Sequence, residues 1–118
     1  MNVMVVYVTA SDPAEARRIA RVGVEERLAA CANILAPMTS IYWWEGAVQE
    51  SSKALLILKT TADRVAPLMA RVKELHSYDV PCIEAWPVAD GHPAFLDWVG
   101  RETHASPASA PGGLSPGG

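Results

Sequence analysis

A chain of 118 residues, half of them apolar, holds enough for one packed core and reads as a single globular domain. Its net charge of −3 comes with Lys and Arg scattered along the chain, which removes nucleic acid and anionic membranes from the expected partners. No apolar run approaches the ~20 residues of a membrane span, and two cysteines in a chain without a targeting segment read as reduced thiols of a cytoplasmic protein.

Met1 to Thr9 lacks a basic leader region, and its β-branched and aromatic residues predict a strand buried on both faces. Asp12 and Pro13 then predict a helix start, with Glu15 three residues after Asp12 as the second half of a capping box. Ala16, Ile19, Ala20, Gly23, Val24 and Leu28 recur at helical spacing and form the stripe that covers a sheet. Gly23 weakens the helix, so its expected use is a close approach to the strand beneath. Residues 29–35 run into a second strand that bends at Ala36-Pro37 and continues to Trp44.

Thr39 to Thr61 reads as a β-hairpin broken at Glu45-Gly46. Ile41 and Trp43 alternate with Tyr42 and Trp44, and Leu56 and Leu58 alternate with Leu55 and Ile57. Both faces of both arms are therefore apolar or aromatic. Thr60, Thr61 and Asp63 offer caps for a second helix with Val65, Leu68, Met69, Val72 and Leu75 on its stripe, and Pro67 must lie within its first turn. Residues 76–81 form a connector, Cys82 to Val88 a fourth strand, and Phe95, Leu96, Trp98 and Val99 a short C-terminal helix. Residues 1–103 make the domain; 104–118, almost entirely Ala, Ser, Pro and Gly, predict a disordered tail.

The order β-α-β-β-α-β predicts an α+β, ferredoxin-like sandwich with both helices on one face of an antiparallel sheet. The other face is bare and apolar, and a homo-oligomer is the expected cover.

Few residues carry recognisable chemistry. His76 is the candidate metal ligand, and a hydrogen-bonding role at a helix end is the alternative. Cys31, among alanines, reads as a small buried hydrophobe. Cys82 and Glu84 share one strand face by the period of two. Tyr42, Trp44, Lys59, Tyr78 and Glu84 put polar tips amid apolar strand surface, which suits either interface packing or a pocket between subunits. Phosphate loop, nucleophile elbow and paired-cysteine strings are absent, so no enzyme is expected.

Five strings resemble one family. Val24-Glu25-Glu26-Arg27-Leu28-Ala29-Ala30-Cys31-Ala32-Asn33 is similar to a signature of the CutA family, and Thr39-Ser40-Ile41-Tyr42-Trp43-Trp44-Glu45-Gly46 to its hairpin. Leu58-Lys59-Thr60-Thr61, Leu75-His76-Ser77-Tyr78-Asp79-Val80-Pro81 and Phe95-Leu96-Asp97-Trp98 follow in family order, so the resemblance spans 3 to about 103. It implies a homotrimer whose hairpin reaches neighbouring subunits through Tyr42, Trp43 and Trp44. It further implies a non-enzymatic, cytoplasmic protein of divalent-cation tolerance, with copper binding among members, and a likeness to PII-type sensors that would put a ligand cleft at Lys59, Tyr78 and Glu84. His76 matches a position tied to copper. Val8 and Leu75 stand where copper-binding members can carry Cys and His, so that ligand set is incomplete here.

Overall fold

The structure, a computed structural model, describes residues 2–104 and 117–118. Eight elements follow one another: β1 (Val3–Ala10), α1 (Pro13–Glu25), β2 (Cys31–Trp44), β3 (Ala47–Thr61), a 3-10 turn (Ala62–Arg64), α2 (Val65–Leu75), β4 (Ile83–Pro87) and α3 (Pro93–His104). The strands form one antiparallel sheet in the order β2-β3-β1-β4, the ferredoxin-like arrangement expected from the element order. The disordered-tail expectation falls mostly on residues 105–116, outside the described residues, while His104 closes α3.

Alternation sorts the sheet. Val6, Val8, Leu56 and Leu58 are fully buried and meet Ile19 of α1 and Leu68 of α2, so these two helices share one face. Burying side chains of this size contributes roughly 1.5–3 kcal/mol each before conformational entropy is counted. The opposite face carries Val5, Tyr7, Leu55, Ile57 and Lys59 in cross-strand register. It is not wholly bare. α3 covers one end, where Val3 and Val99 pack with Phe95 and Trp98, and His104 Nε2 meets Asp63 Oδ2 at 2.8 Å.

Helix α1 begins as predicted, with Asp12 accepting from the Glu15 N–H at 2.8 Å. It ends earlier than the stripe suggested, and Leu28 lies beyond it. Arg27 takes φ 61°, Leu28 N–H donates to Gly23 O at 2.9 Å and Arg27 N–H to Val24 O at 3.0 Å. This is a Schellman closure with arginine where glycine is usual, which is why no glycine marked it. The Arg27 guanidinium is held 2.6 Å from Glu102 of α3, which offsets the cost of the left-handed backbone.

Gly23 is more permissive than expected. A Cβ there would lie 3.4 Å from Leu68 and 3.5 Å from Leu58, ordinary contact distances. Gly23→Ala should therefore stabilise the protein by about 0.5–1 kcal/mol through helix propensity, raising the thermal midpoint by about 4 °C. A lowered midpoint would mean that the packing has no room for the methyl.

β2 and β3 outrun the sheet. The last β1–β3 pair is Ala10 with Ala54, so Met38–Trp44 and Ala47–Lys53 form a two-stranded arm without a third strand. Glu45 (φ 50°) and Gly46 (φ 79°) close it, the two positive φ values of a type I′ turn. At the root of the arm Leu35 pairs with Leu55 but Met38 with Lys53, so the expected bend is a bulge of one extra residue, where the Ala36–Pro37 peptide is cis. One extra residue inverts the alternation of β2. Before the bulge, Asn33 and Leu35 share the open face; after it, Met38, Ser40, Tyr42 and Trp44 do, opposite Lys53, Ser51, Gln49 and Ala47.

Candidate functional site

Around the root of the arm three features meet: the aromatic arm, the 76–81 connector and the N-terminus of α1. Glu15, 3 % exposed, knits the last two together. Its Oε2 accepts from the Ser11 N–H at 2.7 Å and the Ser11 hydroxyl at 2.6 Å, and its Oε1 accepts from the Ser77 N–H at 2.6 Å. The expected capping box has thus moved by one residue, with the carboxylate reaching past Asp12 to Ser11. Burial alone would raise the pKa of Glu15, but the Ser11 and Ser77 hydrogen bonds outweigh it and hold it at about 2.

His76 is 8 % exposed and follows α2 directly. Its Nδ1 accepts the Tyr78 N–H at 3.0 Å, so its Nε2 carries the proton and donates to Thr9 O at 2.7 Å. In the neutral ring the one lone pair a metal could use is therefore engaged by the backbone. Among the described residues no group of three or more His, Cys, Asp or Glu side chains is placed to hold a metal ion. Cys31 is buried, which pushes its thiol pKa up, and Cys82 is exposed.

Beside the connector lies a groove of about 640 Å³, walled by Ile41, Tyr42, Trp44, Tyr78 and Val80, with Lys53 as its basic side chain. Lys53 Nζ donates to Tyr78 Oη and lies 4.4 Å from the Tyr78 ring centroid and 5.4 Å from that of Tyr42. Burial by itself would lower the Lys53 pKa, and its contacts with Tyr78 and Tyr42 more than reverse that, so it stays charged. The bulge makes this possible, because it turns Tyr42 and Trp44 to the side where Lys53 stands.

The expected cleft residues do not gather within one protomer. Tyr78 is in the groove, but Lys59 stands six residues farther along β3, about 20 Å away at strand rise. Lys59 Nζ donates to Asn33 Oδ1 at 2.8 Å. Glu84 pairs with Tyr7 in register and is exposed on the open face, beside Trp86. Lys53, Ser77 and the inward role of Glu15 were missed. Lys53 carries no motif, and Glu15 meets Ser77 across 62 residues of sequence, a contact that no local pattern announces.

The apolar exposure concentrates on the arm: Trp43 is 74 % exposed, Ile41 66 %, Val48 56 % and Trp44 54 %. No described helix is long and apolar enough to cross a membrane.

Comparison with known proteins converges on one family. A family model described as CutA1 divalent ion tolerance protein matches residues 4–102. The divalent-cation tolerance protein CutA of Thermus thermophilus is 48 % identical over 99 residues, covering 84 % of this chain and 96 % of that protein. Its namesake from Archaeoglobus fulgidus is 43 % identical over 94 residues, covering 80 % and 91 %. Among solved structures, CutA1 from Oryza sativa superposes with a TM-score of 0.86 at 40 % identity, covering 90 % of this chain and 97 % of that one.

Proposed function

The chain belongs to the CutA1 divalent ion tolerance protein family, and from that premise we propose that it serves divalent-cation tolerance, copper included, as a non-enzymatic, cytoplasmic homotrimer. The observation that carries the trimer is the arm. Sixteen residues, 38–53, project past the last β1 pair with two tryptophans exposed on opposite sides, an arrangement that loses apolar surface to water unless another copy covers it. The open sheet face continues the same surface through Leu35, 55 % exposed, and Trp86, 42 % exposed. Tyr42, Trp43 and Trp44 are the proposed interface residues. Lys59 and Glu84, opposite in charge on that face, would come to oppose each other between copies and line the clefts of the assembly.

Within this reading the metal role of His76 is conditional. A cation taken there has to displace the Tyr78 N–H from Nδ1, and the neighbouring Val8 and Leu75 supply no further ligand. The test is calorimetric titration of the reduced protein with Cu(II) and Zn(II), alongside its mass by light scattering. Trimer mass and a saturable micromolar Cu(II) isotherm are expected. A monomer overturns the assembly, and weak unsaturable heats with both metals overturn direct binding.

A second reading, a PII-like sensor whose cleft takes a small ligand, is favoured by the groove around Tyr78. Its volume falls in the range of small-molecule sites.

A further inference from the structure

One imidazole fastens the last turn of α3 to the turn that leads into α2. His104 Nε2 lies 2.8 Å from Asp63 Oδ2 and His104 Nδ1 lies 2.8 Å from Gly100 O, so both ring nitrogens face oxygens that only accept. The doubly protonated ring serves both, whereas a neutral ring leaves a bare lone pair against one of them. The Thr103 hydroxyl, 3.0 Å from Nδ1, does not alter this count, because its own proton is directed at Val99 O and Gly100 O and its oxygen accepts from the ring. Asp63 is fixed at its other oxygen by the Thr61 hydroxyl, which donates to Oδ1 at 2.7 Å. The hydrogen bonds from His104 and Thr61 hold the Asp63 carboxyl at about 2, so it is ionised at neutral pH. Arg64, next in the same turn, opposes the imidazolium, as does burial, but the Asp63 carboxylate and Gly100 O outweigh both and raise the His104 pKa above the ordinary 6.5. On α3 itself Arg101 shares the last turn, and Glu102 is engaged by Arg27.

We propose that His104 is a pH-sensitive clasp on the C-terminal turn of α3, closed on Asp63 while the ring is protonated and open once it is neutral. α3 covers one end of the sheet through Val99, Phe95 and Trp98, so the clasp sets how firmly that cover is held. The Arg27–Glu102 ion pair ties the same turn without the imidazole, which confines the opening to the end of the helix. The clasp is a contact within one protomer, between residues outside the arm and the sheet positions assigned to the subunit interface. A group whose folded pKa is raised stabilises fully below its ordinary value and loses that contribution as pH rises through the folded one. Closure is therefore complete below about pH 6.5 and drains in mild base.

The test uses the whole chain in its solution assembly. Nuclear magnetic resonance follows the ring signals of the three histidines through a pH titration, with those of His104 identified by their loss in His104→Gln. The His104 midpoint is expected above 6.5, and Asp63→Asn should bring it down. Amide hydrogen exchange of residues 101–104, expressed against the intrinsic rate at each pH, reads the clasp itself. Protection should fall about two- to fivefold between about pH 6 and about pH 8.5, the weight of a partly exposed ion pair. His104→Lys, charged across that range, should keep its protection, and Asp63→Asn should be low throughout. A His104 midpoint at or below 6.5, or one unmoved in Asp63→Asn, overturns the proposal. Protection that does not fall in the wild type, or that falls equally in His104→Lys, overturns it as well.

Discussion

Glu15→Ala is expected to cost about 3 kcal/mol at neutral pH, a large share of a small domain's stability. The carboxylate is buried and takes three short hydrogen bonds, and its removal strands the Ser11 and Ser77 N–H groups. The pH dependence identifies the cause. The folded pKa of about 2 lies below the ordinary 4.5, so the stabilisation is complete above about pH 4.5 and drains as pH falls toward 2. A depression of that size corresponds to about 3 kcal/mol. Denaturant unfolding of wild type and Glu15→Gln across that window is the measurement. Their difference should shrink steadily with acid and vanish once the wild-type carboxyl is protonated. A difference independent of pH would mean that the glutamate acts through shape alone.

The second large effect concerns assembly. Trp44→Asp should convert the proposed trimer to monomers at micromolar concentration while leaving far-ultraviolet circular dichroism unchanged. The arm lies beyond the three-stranded part of the sheet, and Trp44 is more than half exposed in the protomer, so the core does not depend on it. In an assembly the same ring would be covered in three symmetry-related places, each contributing roughly 2–3 kcal/mol, and an aspartate there would be an unpaired buried charge. Association weakened by at least about a hundredfold follows. Trp43→Asp, on the opposite side of the arm, tells whether neighbours clasp both faces. An unchanged mass in both variants would remove the arm from the interface.

These two sites were legible to different degrees. The aromatic arm could be read directly, since alternation in Ile41 to Trp44 and the Glu45-Gly46 break are local signals. The α1 start at Asp12 and the Pro67 limit on α2 are of the same kind. The end of α1 was not, because Arg27 does the work usually left to glycine. Within the protomer the partner of Tyr78 is Lys53, a contact between residues 25 apart in the chain that no local pattern announces.

By itself the sequence determined the element order, the apolar arm and the family, all of which rest on strings of residues close together in the chain. Tertiary structure decided the rest. The bulge at Ala36-Pro37 set which aromatics share a side with Lys53, the backbone of Tyr78 took the lone pair of His76, and Ser77 turned Glu15 from a helix cap into the buried tie of the connector. Each of these depends on contacts between distant segments, and their geometry follows from strand register and packing, which periodicity along the chain does not encode.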